Sequence, residues 1–142
     1  LESLGDISYT DEEIKYANTI LKEAGKPEKG IDGKIKPLRE TFPAQGGSTD
    51  VGDVSQVVPV ISLSATAAAK GGPWHSWAVV ACTGMSIGHK GLVYASKALA
   101  MTMFDLYENP KLLESVKKDF LEKKGDKVYE PRIPSGPLRL ID

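Results

Sequence analysis

The residues best suited to chemistry in this sequence are its two histidines, His75 and His89. His75 lies in a Gly-Gly-Pro turn between Trp74 and Trp77, just after a predicted strand. Imidazole titrates near neutral pH and binds metals, so His75 fits a metal ligand or a general base. The alternative is a structural role, in which His75 packs against an indole ring in the loop. The residue types alone favour this structural role.

His89 lies at the start of a predicted long helix, in the segment Ile87-Gly88-His89-Lys90-Gly91. Helix N-termini attract anions, and Lys90 adds a positive charge, so a substrate contact is one interpretation. An imidazole held in a structural hydrogen bond is the other interpretation, and the local sequence favours it.

Asp50 and Asp53 are three residues apart, so both carboxylates lie on one side of the chain if that segment is helical. They fit a metal site or a fixed loop, but Asp50 fits equally well as the cap of a short helix. The preceding small residues lack the spacing of a phosphate-binding loop. Ser76 lacks the Gly-x-Ser-x-Gly pattern of a nucleophile elbow.

Cys82 is the single cysteine, which excludes an internal disulfide and any zinc site built from several cysteines. Its apolar neighbours predict a buried, inert thiol, and a lone thiol fits a reducing compartment. A zinc site formed by this chain alone would have to combine the two histidines with carboxylates.

The composition excludes several classes of protein. The 142 residues carry 18 Lys+Arg and 19 Asp+Glu, so the basic surplus typical of nucleic-acid binding is missing. Hydrophobic residues make up 41%, which excludes wholesale disorder. No apolar run reaches the roughly 18 residues of a membrane span, and the first residues lack the features of a signal peptide.

Local patterns predict three helices. Thr10 and Glu13 form a capping box for a helix over about 11–24. A second helix over about 88–108 carries a wide apolar stripe, so we expect it to be mostly buried. Asn109 and Pro110 begin a third helix, which ends at Gly125.

The remaining segments predict loops and very little sheet. Residues 25–47 and 126–142 are rich in glycine or proline and predict a loop and an extended tail. Residues 57–63 predict a strand whose early part is weakened by Pro59, and residues 78–82 fit a strand or a helix. Because a lone strand cannot complete its own hydrogen-bond ladder, other strands must come from a partner or a longer protein.

Three motifs together resemble the C-terminal part of the M20 family of metallopeptidases and amidohydrolases, most of all its branch of aminobenzoyl-glutamate hydrolases of the B-subunit type. They are Gly46-Gly47-Ser48-Thr49-Asp50-Val51-Gly52-Asp53-Val54-Ser55, His75-Ser76-Trp77 and Ser86-Ile87-Gly88-His89-Lys90-Gly91. The likeness extends from the first predicted helix to the proline-rich tail. It implies an α/β fold, in which this chain forms the C-terminal part of a zinc-peptidase-like catalytic domain. Such a domain has a mixed sheet flanked by helices, and the sheet would be incomplete in this chain.

The resemblance divides residues 1–142 into two parts of one catalytic-domain segment. Residues 1–45 would lead back from a lid domain and form a loop, and residues 46–142 would form the closing strand, helices and tail. It implies that His75 is a metal ligand. His89 matches no metal ligand of the family, so at best it supports the residues around the site or faces the substrate. It also implies a pocket loop that borders the substrate, with the residues Gly47, Ser48, Thr49 and Asp50. The general base and the other ligands would lie upstream, so no catalytic residue is expected in this segment.

The implied reaction is hydrolysis of an amide bond in a small conjugate such as aminobenzoyl-glutamate or a dipeptide. Two divalent ions, usually zinc with manganese or cobalt possible, would activate a bridging water. The implied partners are the rest of the catalytic and lid domains and a second copy of the protein in a homodimer. The implied location is the cytoplasm, and neither nucleic acid nor a membrane is expected as a partner. We expect the chain to be inactive alone. A non-catalytic binding module and an assembly role for the 88–108 helix are the competing hypotheses.

Overall fold

A computed structural model describes residues 1–38, 49–131 and 136 of the chain. A short 3-10 helix over Glu2–Leu4 comes first in this part. The α-helices are α1 (Asp11–Glu23), α2 (Val51–Val54), α3 (Trp77–Thr83), α4 (Ser86–Glu108) and α5 (Pro110–Lys124). The chain forms two compact units. The described part of the first is residues 1–38 with 63–105, and that of the second is residues 49–62 with 106–131 and 136.

The start of α1 confirms the predicted capping box. The Thr10 hydroxyl accepts a hydrogen bond from the Glu13 amide at 3.2 Å, and the Glu13 carboxylate accepts one from the Thr10 amide at 2.7 Å. These bonds satisfy two amides that the first turn leaves without helical partners. The helix begins at Asp11 and ends at Glu23, as its sequence predicts.

The core of the first unit lies between α1 and α3. Its buried cluster consists of small and medium apolar side chains from α1, α3 and the start of α4, namely Ala17, Ile20, Ala78, Cys82 and Ile87. The small residues let the two helices approach closely, and the Tyr16 hydroxyl donates to the Ala81 carbonyl at 3.2 Å across the interface. The predicted burial of the Cys82 thiol is confirmed.

The predicted α/β fold with a mixed sheet is wrong for the described residues, which are helical and contain no strand. The amides of Val57 and Val58 both donate to the Val54 carbonyl, which continues the turn of α2 where the sequence predicts a strand. Since a strand needs a neighbour for its ladder, β-branched composition alone does not make one. Residues 78–82, which fit either element, are part of α3.

The predicted burial of the long helix is also wrong for most of its length. Its buried residues are Ile87, Gly88, Gly91 and Ala98, all in its first half or near its middle. Gly91 lies so close to the Thr66 carbonyl that a Cβ atom there would collide with it. The long apolar side chains farther along α4 are exposed.

The second unit confirms the boundaries predicted for the last helix. The Asn109 side chain accepts a hydrogen bond from the Leu112 amide at 3.1 Å, and Pro110 occupies the first turn. Gly125 ends α5 with a φ of 57°, which glycine adopts at little cost.

None of the helices in the described part combines the length and hydrophobicity that a bilayer crossing needs.

Candidate functional site

His75 lies in the turn that leads into α3, and its side chain is exposed. Its backbone has a φ of 57°, a left-handed conformation that few residues other than glycine adopt. The Ser76 hydroxyl donates to the Pro73 carbonyl at 2.7 Å and closes the turn. Strained backbone of this kind concentrates at functional sites, so the geometry supports a functional hypothesis for His75.

Two tryptophans accompany His75 at the surface. Trp74 is 75% exposed and Trp77 is 52% exposed. Large aromatic side chains are normally buried or placed at interfaces, so a turn that exposes two of them suits contact with another molecule. The first turn of α3 holds Trp77, while the next residue, Ala78, is buried and anchors the helix.

The residues described do not form a complete metal site. No three histidine, cysteine, aspartate or glutamate side chains among them are placed to hold an ion together. A catalytic zinc needs three protein ligands and an open position. The described residues alone therefore do not form the ligand set of a catalytic zinc ion.

The predicted pocket loop is described only in part. Gly47 and Ser48 lie outside the described residues. Thr49 and Asp50 are exposed and precede α2; the Thr49 carbonyl accepts a hydrogen bond from the Gly52 amide at 3.1 Å. Asp50 is the N-cap residue, yet its side chain makes no capping bond. These two residues belong to a different compact unit from His75 and His89.

His89 lies on the first turns of α4 and lines an open groove of about 490 Å³. Residues 4–8 supply one wall and residues 86–97 supply the other. His75 is not among the lining residues, so the structure does not bring the two histidines together in this groove. The Tyr94 hydroxyl beside it is buried and has no hydrogen-bond partner among the described residues.

A partly buried ion-pair network fixes the start of α4, and sequence analysis missed it. Lys90 donates to the Glu13 carboxylate at 2.6 Å and to the Ser8 carbonyl at 3.0 Å. The Ser86 hydroxyl donates to the other Glu13 oxygen at 2.6 Å. Glu13 is only 8% exposed, so the network buries a carboxylate with its hydrogen bonds satisfied. Glu13 was visible in the sequence only as part of the capping box.

The pKa of Glu13 reflects two opposing effects. Burial raises it, but the hydrogen bonds from Lys90, Ser86 and the Thr10 amide outweigh burial and lower the pKa from 4.5 to about 2. Glu13 is therefore a permanent anion near neutral pH. A group with this pKa suits the positioning of α4 better than proton transfer.

A second acid, Asp32, links the loop that follows α1 to the loop before α3. Its carboxylate accepts from Lys36 at 2.6 Å and from Lys70 at 3.1 Å. The hydrogen bonds from Lys36, Lys70 and the Lys34 amide lower the pKa of Asp32 well below its ordinary value. The Asp32 carbonyl also accepts from the Thr66 hydroxyl at 2.6 Å. This cluster holds the segment that packs against Gly91.

The sequence is similar to that of a known hydrolase. It is 32% identical over 106 residues to the B subunit of p-aminobenzoyl-glutamate hydrolase of Escherichia coli (strain K12). The aligned residues make up 75% of this chain and 22% of the relative. The chain thus spans about a fifth of the length of this curated relative. No protein-family model and no solved structure matches it. The similarity to a hydrolase component supports a family relationship with that protein.

Proposed function

We propose that this chain forms part of a metal-dependent amidohydrolase of the M20 type, acting on a small aminoacyl conjugate such as aminobenzoyl-glutamate or a dipeptide. The observation that carries the proposal is the 32% identity over 106 residues to a component of p-aminobenzoyl-glutamate hydrolase. A continuous match of that length in a chain of 142 residues must include the turn that holds His75. The activity, the substrate and the partners of the whole protein all belong to this proposal.

In this proposal His75 supplies one metal ligand. Its exposed position and left-handed backbone present the imidazole away from the α1–α3 core, where another segment can complete the ligand set. A bound divalent ion, zinc by preference, would supply Lewis acidity for amide hydrolysis. The contribution of this chain is to hold the imidazole in place, through the Ser76–Pro73 hydrogen bond and the anchored start of α3.

The remaining assignments concern the substrate. Gly47, Ser48, Thr49 and Asp50 form the proposed pocket loop, and His89 is the proposed substrate-facing residue. Exposure of Thr49 and Asp50 and the place of His89 in the groove are compatible with these roles. The chain is proposed to be inactive in isolation, because the described residues hold no complete ligand set.

A hybrid protein tests this proposal directly. The aligned 106 residues of this chain would replace the matching segment of the Escherichia coli relative, and hydrolysis of p-aminobenzoyl-glutamate would be measured. We expect the hybrid to hydrolyse the substrate and His75→Ala to abolish hydrolysis. His75→Ala with undiminished hydrolysis would refute the ligand assignment.

A matched control separates chemistry from folding. Cys82→Ser changes a buried residue of α3, the helix that follows the histidine turn, and leaves every proposed ligand intact, so it reports general damage. We expect this control to retain hydrolysis in proportion to its folded fraction. Equal losses in His75→Ala and Cys82→Ser would mean that His75 supports the fold.

A second candidate function, assembly without catalysis, is favoured by the outer face of α4. Its exposed apolar side chains include Leu92, Leu99, Met103 and Phe104, which are 55–66% exposed. Several large apolar side chains exposed on one helix are typical of an interaction site. In an assembly protein, the hybrid would associate normally and hydrolyse nothing, and His75→Ala would change neither property.

A further inference from the structure

Asp32 and Gly33 form the single Asp-Gly pair of the sequence, which contains no Asn-Gly pair. An aspartate followed by glycine isomerises readily, because the attacking backbone nitrogen belongs to a residue without a side chain that would hinder its approach. Wherever another aspartate of this chain is followed by a residue, that residue is larger, as Ile7 is after Asp6. Asp32 is therefore the aspartate whose sequence most favours isomerisation.

The reaction needs only the backbone and water. The Gly33 nitrogen attacks Cγ of the protonated Asp32 carboxyl group, an N–C bond forms, and the carboxyl hydroxyl leaves as water with the amide proton. Water then opens the cyclic imide at one of its two carbonyl carbons. Opening at Cγ restores aspartate, whereas opening at the Asp32 backbone carbonyl leaves isoaspartate, whose main chain runs through Cβ and Cγ.

Packing requires glycine at the second position of this pair. A Cβ atom on Gly33 would collide with the Ile7 carbonyl and crowd the Tyr9 ring. The Gly33 carbonyl also accepts a hydrogen bond from the Ile7 amide at 2.9 Å, so the two segments lie in direct contact. The fold therefore requires the small residue that makes the preceding aspartate reactive.

The folded loop holds the Asp32 carboxylate in its ionised form. One carboxylate oxygen lies 2.6 Å from the Lys36 nitrogen and 3.1 Å from the Lys70 nitrogen. The other oxygen accepts a hydrogen bond from the Lys34 amide at 3.2 Å. These contacts keep the pKa of Asp32 well below its ordinary value. Because the protonated carboxyl group is the form that loses water, the contacts withhold the reactive form.

The backbone around Asp32 is fixed as well. The Asp32 carbonyl accepts a hydrogen bond from the Thr66 hydroxyl at 2.6 Å, and the Gly30 carbonyl accepts one from the Lys70 amide at 2.9 Å. Formation of the imide must rearrange this backbone and release the carboxylate from its partners. A loop held in this way reacts during the fraction of time in which it is locally open.

We propose that the Asp32–Gly33 pair is a latent isomerisation site, which the folded loop protects and which forms isoaspartate when the loop opens. The lengthened main chain moves the Asp32 carbonyl away from the Thr66 hydroxyl. Since Gly91 of α4 packs against the Thr66 carbonyl, the change loosens the start of that helix. Isomerisation thereby turns a reversible opening of the loop into a lasting change of the first unit. The site is independent of the proposed function, because it involves neither histidine.

Peptide mapping of the 142-residue chain measures the reaction. Trypsin cleaves after Lys29 and Lys34 and releases residues 30–34, and liquid chromatography against synthetic standards separates the aspartate and isoaspartate forms of this peptide. The chain is incubated at neutral pH, folded in one sample and denatured in guanidinium chloride in the other. We expect isoaspartate to accumulate at least about tenfold more slowly in the folded chain.

Two variants test the protecting contacts while the Asp-Gly pair stays intact. Lys36→Met and Thr66→Val each remove one contact of Asp32, and each should speed isomerisation of the folded chain about fivefold. Both should match the parent rate in guanidinium chloride. Lys117→Met removes an exposed lysine from α5 and should leave the rate unchanged. Circular dichroism would confirm that all three variants keep their helices.

Three results would overturn the proposal. Equal rates in the folded and the denatured chain would mean that the loop gives no protection. A denatured chain without isoaspartate at position 32 would mean that the pair is not reactive. Equal acceleration by Lys117→Met and Lys36→Met would assign the effect to the net charge of the chain and not to the contacts of Asp32.

Discussion

Leu21 and Leu99 are the same residue type on two regular helices, yet α1 buries Leu21 completely and α4 leaves Leu99 55% exposed. The Leu21 side chain lies near Gly72, in the loop that precedes α3. Leu99 lies on the outer face of α4, among other exposed apolar side chains. A packed core in one region therefore contrasts with an apolar helix surface that is exposed in the other, and His75 lies in an exposed turn beside that core.

The largest expected effect comes from truncating the two leucines. Leu21→Ala should destabilise the chain by about 3 kcal/mol, through lost burial and the cavity that remains. Leu99→Ala should cost less than about 0.5 kcal/mol, since its side chain is already in water. Urea denaturation of both variants measures the difference. Equal losses would mean that α4 is covered in solution and that the comparison is wrong.

Gly91→Ala should have the next largest effect. A Cβ atom at this position collides with the Thr66 carbonyl, so the backbone of one segment must move. We expect a loss of about 2 kcal/mol, typical of overpacking. Gly52→Ala is the control, because a Cβ atom there meets nothing. Thermal denaturation compares the two; a neutral Gly91→Ala would show that the start of α4 is loosely held.

Glu13→Ala should cost roughly 2 kcal/mol, because it removes the capping-box acceptor of α1 and leaves Lys90 and Ser86 without their partner. Glu12→Ala is the matched control: Glu12 occupies the same first turn and is exposed. Chemical denaturation of both variants gives the difference. If the two substitutions have equal effects, the helix dipole explains them and the network contributes nothing.

The smallest effect is a pH dependence of the same network. The folded-state pKa of Glu13 is about 2, against an ordinary value of 4.5. The unfolded chain therefore binds more protons between these values, and stability falls as the pH drops from 4.5 towards 2. Above pH 4.5 the contribution is fully present.

Melting temperatures of the parent chain and of Glu13→Gln over this pH window isolate that contribution. The parent should lose more stability than the variant, because the variant has no carboxylate to titrate at this position. Parallel curves would assign the acid sensitivity to other carboxylates, such as the one on Asp32.

Local signals in the sequence predicted the helix ends well. The Thr10–Glu13 capping box, the Asn109 cap and the terminal Gly125 each act within a few residues, so their geometry follows from composition and spacing. The Glu13–Ser86 hydrogen bond joins residues 73 positions apart, and no local pattern reveals it. The prediction that α4 is buried failed for a similar reason. The apolar stripe of α4 indicates that the helix can pack against another segment, but it does not indicate whether that segment is present.

The candidate site was predictable only as a set of residue types. His75 was singled out by its turn, but the left-handed backbone and the exposed tryptophans emerged from the structure. The strand predicted over 57–63 failed because β-branched side chains need a neighbouring strand. The division at residue 45 and the roles of the pocket loop remain predictions.

We propose that His75 is a metal ligand whose site is completed outside the described residues. Zinc content of the hybrid protein, measured by elemental analysis after dialysis, tests it most directly. We predict that His75→Ala lowers the zinc content relative to the parent hybrid, whereas His89→Gln leaves it unchanged. Undiminished zinc in a folded His75→Ala hybrid would contradict the claim.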